Sequence, residues 1–381
     1  MSVTLALLAA VVAQAAAPPP YQIESMRVRF THFDQRGRGY QSAAGPAGTP
    51  GSEQLTVEQP QAEVVARIGE RVTERVWIPM DVVTAASPDH SRYNRPITDD
   101  PPDAISTASR RNVAGTFDAL TTYHVDRDTD LGFRTAFHIE EPFESWAFGL
   151  GVTRSMAEEN TVLDANVYQV LDWFDRFKID GMRQARSNRS TTNLNLTLTQ
   201  VLSPTTVAAV SYGGTLQLGT LANTWSTVLL SDGARGEERL PRERWRHALA
   251  VRLAQWLPWE GALKVSYRIY VDDWSALANT GEVTLVQRLF AGLRLRASYR
   301  AHHQSAVRFF TKAAAPDGAG YRTGDSDLAR FTAQTVGGGL TWDLSRAGVV
   351  SDVHVDLGYE RYFRTNDLTV DIATCGFGLL F

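Results

Sequence analysis

Residues 192–199 read Thr-Asn-Leu-Asn-Leu-Thr-Leu-Thr. Leu194, Leu196 and Leu198 fall on one side of an extended chain, and Asn193, Asn195 and Thr197 on the other. Strict alternation is the period of a β-strand with one apolar and one polar face, because successive side chains point to opposite sides. The same period recurs along the chain. Leu249, Val251 and Leu253 alternate with Ala248, Ala250 and Arg252, and Leu263, Val265, Tyr267, Ile269 and Val271 with Lys264, Ser266, Arg268 and Tyr270. Val283, Leu285 and Leu289 alternate with Glu282, Thr284 and Arg288, and Leu293, Leu295, Ala297 and Tyr299 with Arg294, Arg296, Ser298 and Arg300. Val353, Val355, Leu357 and Tyr359 alternate with Asp352, His354, Asp356 and Glu360.

The runs are about 11–15 residues long, whereas a soluble strand is usually about 5–6 and a tilted membrane strand needs about 9–11 to cross hydrocarbon. Length therefore favours a membrane barrel over a soluble sandwich. The alternation divides the chain into segments 22–34, 55–68, 71–83, 113–125, 131–140, 144–156, 160–172, 188–201, 205–219, 243–257, 260–272, 276–290, 292–306, 327–344, 350–364 and 367–381. The one stretch with helical ambiguity, Ala62 to Arg75, reads as two strands turning at Gly69-Glu70. The expected fold is all-β, a closed antiparallel transmembrane β-barrel of about 16 strands, an even number as bacterial barrels require. With a periplasmic N-terminus, the short turns at 69–70, 202–204, 258–259 and 291–292 are periplasmic. The long connections 35–54, 84–112, 173–187, 220–242 and 306–326 are then extracellular, the usual asymmetry.

Composition agrees and excludes other classes. The 381 residues are 43% hydrophobic and 21% charged, with a net charge of -4. A nucleic-acid binder carries a basic excess that is missing here, and the apolar and aromatic content is too high for a disordered chain. A single cysteine, Cys375, excludes an internal disulfide and a cysteine-based metal cluster. No long apolar run beyond the N-terminus offers a helical span.

The first residues read as an export signal. Leu5 to Ala17 is apolar and uncharged, and Ala13-Gln14-Ala15 precedes Ala16, Ala17 and three prolines. Small residues at alternate positions before a break mark a signal-peptidase site, so residues 1–17 are expected to be a signal peptide and 18–381 one barrel domain. No basic residue precedes the run, a departure from the usual pattern. Trp146, Trp173, Trp245, Trp256, Trp274 and Trp342 sit near expected strand ends, where an aromatic girdle meets lipid headgroups. Phe377, Leu379 and Phe381 form an alternating apolar end that looks like the signal read by the outer-membrane barrel assembly machinery.

Several stretches resemble an outer-membrane barrel family catalogued as domain of unknown function 3570 (DUF3570). They are Asp81 to Pro88, Asp103 to Arg110, Thr197 to Pro204, Tyr267 to Trp274 (YRIYVDDW), Tyr299 to Phe310 (YRAHHQSAVRFF) and Tyr321 to Leu328 (YRTGDSDL). The last three are the most specific. The acidic-aromatic stretch usual in the family is only approximated by Ser155 to Asn160. The resemblance implies export, the bacterial outer membrane and a barrel, and no activity. It also implies a loose association with periplasmic redox and flavin-transfer systems.

The motifs that carry chemistry elsewhere are weak here. Asp126, Asp128 and Asp130 imitate the start of a calcium loop, but Leu131 and Phe137 stand where that loop needs Gly and Glu. Asp99, Asp100 and Asp103 give too few fixed ligands for a specific cation site. His302 and His303 are adjacent, so a strand points them to opposite faces. His124, His138, His247 and His354 have no spacing partner. Gly149, Gly151 and Gly337 to Gly339 lie inside strands with no following helix, which excludes a phosphate loop and suits bends or close strand contact. No Ser, His and carboxylate set has catalytic spacing, so no enzyme, cofactor or metal is expected.

The polar faces say more. With the apolar set toward lipid, Arg246, Arg252, Lys264, Arg268, Arg288, Arg294, Arg296 and Arg300 face the lumen on four consecutive strands. Asp352, His354, Asp356 and Glu360 do so on a later strand, and Asp164 and Asp172 on an earlier one. Opposed basic and acidic walls would set a transverse field across a pore. A packed salt-bridge network that fills the barrel is the other reading; sixteen strands favour an aqueous channel. The expected function is a passive pore for small polar solutes in the outer membrane. The alternative is a non-conducting barrel that anchors or docks a periplasmic or surface partner, and the remote third is an outer-membrane hydrolase. Expected partners are outer-membrane lipid, lipopolysaccharide and the barrel assembly machinery, and no nucleic acid. Loop 84–112 is a candidate constriction.

Overall fold

The computed structural model describes residues 21–37, 55–85, 112–141, 143–177, 183–222, 227–316, 318–345 and 351–381. Its strands are β1 (Tyr21–Gly37), β2 (Leu55–Ile68), β3 (Val72–Ala85), β4 (Asn112–Asp126), β5 (Thr129–Glu140), β6 (Phe143–Met156), β7 (Thr161–Phe177), β8 (Arg183–Ser203), β9 (Thr206–Gly219), β10 (Thr227–Leu229), β11 (Arg235–Glu237), β12 (Glu243–Leu257), β13 (Gly261–Asp272), β14 (Leu277–Phe290), β15 (Leu293–Gln304), β16 (Phe331–Ser345), β17 (Asp352–Arg364) and β18 (Leu368–Leu380). Sixteen of them close into one antiparallel barrel, and β10 and β11 form a separate hairpin. Each segment expected from the alternation overlaps one barrel strand. Closure comes from β1, which pairs with β2 on one side and β18 on the other, for example Arg29 with Gln61 and with Gly376. No barrel strand is left as an edge, so the backbone groups that cross the hydrocarbon are paired within the wall.

Two periodicities meet in this wall. Leu249, Val251 and Leu253 are 47%, 49% and 42% exposed and point outward, as do Leu194, Leu196 and Leu198 on β8. A continuous outward apolar band is stable against lipid and costly against water. No helix among the described residues is long and apolar enough to span a membrane. Polar groups on the outward face pair off: Tyr267 with Asn279, Tyr359 with Asp371, and Tyr212 with His247. A tyrosine whose hydroxyl is bonded can sit on an otherwise apolar face.

The two ends differ. At one, the turn end, connections are tight: Gly69 (φ 63°) follows β2, Glu260 (φ 60°) precedes β13, and Gly292 (φ 78°) sits between β14 and β15, where a Cβ would collide with the carbonyl oxygen of Asp343. At the other, the loop end, longer segments return. Connection 173–187 is shorter than expected, because β7 runs to Phe177 and β8 starts at Arg183. Connection 220–242 carries the β10–β11 hairpin, which the alternation gave no reason to expect. The 3-10 turn Ser326–Leu328 precedes β16, which starts at Phe331 and not at 327. The expected signal peptide, residues 86–111 of loop 84–112, and Asp99, Asp100 and Asp103 lie outside the described residues.

Candidate functional site

The lumen wall is set by the same alternation. On β12 to β15 it turns Arg246, Arg252, Lys264, Arg268, Arg288, Arg294, Arg296 and Arg300 inward, opposite in parity to the exposed apolar residues of those strands. Asp352, Asp356 and Glu360 turn inward on β17. The expected pairing of opposed walls is not what the barrel builds. β15 and β17 are separated by β16 alone, so bases and acids meet side by side. Arg294 bonds Asp343 at 2.5 Å, Arg296 bonds Glu360 at 3.2 Å, and Arg300 bonds Glu282 at 2.8 Å. Arg288 reaches Glu260 at the turn end, at 3.7 Å.

Glycine makes the longer of these contacts possible. Arg296 on β15 and Glu360 on β17 sit on either side of β16, two strand spacings or roughly 9.5 Å apart. The strand between them shows Gly337 and Gly339 to the lumen. A Cβ on Gly337 would come within 2.9 Å of Glu360 Cγ, and one on Gly339 within 3.5 Å of Arg296 Nε. The two side chains therefore lie flat across a glycine floor. The device recurs at the seam, where Asp356 crosses Gly376 of β18 to reach Arg29 of β1 at 3.5 Å. Beyond it Arg27 and Arg75 share Glu63. The sequence stretch Gly337 to Gly339 signalled a bend or close strand contact; that side chains, not backbones, would use the space was not legible without the register.

Three cations stand apart. Arg252, Lys264 and Arg268 are exposed to the lumen and have no hydrogen bond or ion pair among the described residues. In register, Arg252 faces Ser266, the residue midway between Lys264 and Arg268. Diagonal cross-strand neighbours of this kind are about 7–8 Å apart. Above them, toward the loop end, Arg246 donates to Gln217, and its buried Nε has no partner.

The loop end is partly covered by a cap that sequence reading missed. Trp274, Ala276 and Val307 are buried at 2%, 8% and 3% exposure, and Leu221, Leu240, Phe309, Phe310 and Leu328 pack on them. The Arg244 guanidinium lies 4.2 Å from the centre of the Trp274 ring and bonds Asp272 at 2.6 and 3.0 Å. The Trp274 indole N–H donates to the Glu243 carbonyl at 3.0 Å. Trp274 is thus a core residue and not part of an aromatic girdle. Trp146, Trp245 and Trp342 do project outward, whereas Trp256 shares the lumen-facing parity of Arg252. Arg322 donates to the Glu237 carbonyl, and Arg364 stacks 4.9 Å from Phe331 while donating to Asp327 and Ser326. The cap folds over inward-facing residues of β14 to β18, including Ala278, Phe331, Ala333 and Val370, all buried.

Other candidates are engaged locally. Asp126 accepts from the Asp128 amide at 2.8 Å and faces Arg154 at 3.4 Å, and Asp130 bonds His124. Phe377 projects outward from β18, Leu379 shares its parity, and the Phe381 amide donates to Glu24 of β1 at 3.1 Å.

Solved barrels resemble this one in outline. A bacterial polysaccharide outer membrane secretin aligns with a TM-score of 0.48 at 8% identity, over 93% of this chain and 98% of its own. OpdK of Pseudomonas aeruginosa, solved with vanillate, aligns at 0.44 and 9% identity over 94% and 98%. The siderophore receptor PirA from Pseudomonas aeruginosa aligns at 0.42 and 10% over 88% and 56%. No curated protein matches the sequence. The family match is of another kind, because it falls on the sequence itself. It spans residues 165–374, from β7 to β18, and takes in the free cations, the glycine floor and the three stretches Tyr267 to Trp274, Tyr299 to Phe310 and Tyr321 to Leu328 that converge on the cap. With more than half its length so matched, the chain belongs to the family described as "Protein of unknown function (DUF3570)".

Proposed function

We propose that this protein is a passive pore for small polar solutes in the outer membrane of a Gram-negative bacterium, with its turn end periplasmic and its loop end extracellular. It carries no chemistry of its own. One observation supports this above the rest: Arg252, Lys264 and Arg268 are exposed on the lumen wall and unpaired among the described residues. A barrel filled by a salt-bridge network would leave such cations buried at high cost, whereas water solvates them. Sixteen strands leave room for that water. Assembly through the barrel machinery, with Phe377 and Leu379 in the closing strand and Phe381 directly after it, is part of the same reading.

The test is recording from purified, heat-modifiable protein in a planar bilayer. Stepwise conductance is the expected result. Well-folded protein that never conducts would overturn the pore and favour a barrel that anchors a partner.

A further inference from the structure

The lumen holds many charges, but they differ in what they already touch. The cations of β15 and β1 are neutralised by carboxylates a few ångströms away. An ion pair viewed from a distance is a dipole, and its field in water falls off quickly. Arg252, Lys264 and Arg268 have no such neighbour. The nearest lumen carboxylate by register is Glu282, opposite Ser266 on β14, and it is bonded to Arg300.

The surroundings leave these cations room. Arg252 pairs in register with Ala209, and the positions next to it on the same face, Ala250 and Ala254, are equally small. Ser266 separates Lys264 from Arg268, and Ser211 lies opposite Ala250. Three long cationic side chains thus rise from a floor of alanine and serine, with no bulky neighbour on that floor to fill the space between them. Arg246, with its buried Nε unpartnered, continues the line toward the loop end under the edge of the cap.

We infer that Arg252, Lys264 and Arg268 form a small-anion site on the lumen wall, which takes carboxylate- or phosphate-bearing solutes passing through the barrel. The inference rests on the pore reading and gives it a solute class. Three guanidinium or ammonium groups offer several N–H donors to one oxyanion, and Arg supplies the planar fork that carboxylate and phosphate match. The site holds weakly, because its cations are hydrated and the path stays open on both sides. A pore needs binding of that kind, strong enough to admit a solute and weak enough to release it.

The size of the effect follows from charge and distance. Three unit charges at about 6 Å in water, screened at 0.1 M salt, enrich anions about five- to tenfold at that point. Reversal potential under a potassium chloride gradient should therefore show a preference for chloride in the wild type. The triple variant Arg252→Glu, Lys264→Glu, Arg268→Glu should prefer potassium, and the triple Gln variant should be close to unselective. The difference should shrink at 1 M salt, where the Debye length is about 3 Å. Inorganic phosphate added to one side should reduce chloride current through the wild type and not through the triple Gln variant. The pair variant Arg296→Gln, Glu360→Gln removes charges that already cancel and should leave selectivity unchanged. All variants are first checked for heat-modifiable migration, and the Gln set stands in if the Glu set fails to assemble. Conductance with unchanged selectivity and unchanged phosphate block in the triple variants would overturn the anion site and leave the pore standing. A wild type that never conducts would overturn the pore and the site with it.

Discussion

Replacing Asp272 with Asn preserves side-chain volume and removes one charge from beneath Trp274. The Asp272 carboxylate is fully buried and accepts four hydrogen bonds: two from Arg244 at 2.6 and 3.0 Å, one from the Tyr270 hydroxyl at 2.8 Å and one from the Ala276 amide at 2.7 Å. In the variant an amide NH2 faces the guanidinium or the Ala276 amide, so one donor opposes another. Arg244 then stays buried against the indole with no counter-charge. Breaking a buried pair in this way costs about 3–5 kcal/mol. At about 1.4 kcal/mol per tenfold, the cap should open two to three and a half powers of ten more often. Trypsin reads this directly, because Arg239, Arg308, Lys312 and Arg322 all lie in the capping segments. When reclosing is fast, cleavage tracks the open population. Cleavage there should accelerate by at least a hundredfold while the barrel keeps its heat-modifiable migration. Cleavage within twofold of the wild type would refute the idea that this ion pair holds the cap.

Two further outcomes are expected. Gly339→Val places a branched side chain where a Cβ already comes within 2.9 Å of the Leu357 carbonyl oxygen; overpacking of this kind costs about 1–3 kcal/mol. The urea midpoint at which the fast-migrating band is lost should fall, and an unchanged midpoint would count against the glycine floor. Removing Phe381 takes away the amide that bonds Glu24 on β1 and should lower the amount of barrel recovered in outer-membrane fractions; equal recovery of the truncated and full chains would remove that role.

The wall was legible in the sequence because a barrel strand obeys a local rule. Leu194, Leu196 and Leu198 declare their face with no knowledge of their neighbours, and so do Arg294, Arg296 and Arg300. What the rule cannot give is adjacency. Placing Arg296 beside Glu360 requires the register of three strands, and that register decides whether a charge is free or matched. The eight inward bases were all visible; that Arg252, Lys264 and Arg268 differ from the rest was not. The cap was hidden for a related reason. Trp274, Val307 and Leu328 lie in three separate segments with no shared period, and only their meeting in space makes a core. The family resemblance marked those segments as specific without saying what they build.

The contact between Arg29 and Asp356 has a consequence for the order in which the molecule is made. It joins the first strand to the seventeenth across the last, so it exists only in the closed cylinder. Arg296 and Glu360 differ in this respect, for they come together as soon as β15, β16 and β17 have paired. The seam bond is therefore a latch that sets after closure and gives nothing to the open sheet. Its loss would leave the rate of insertion alone and speed the unzipping of the finished barrel. Arg29, Gly376 and Asp356 thus form one row that adds to the backbone ladder of the seam only once the barrel has closed.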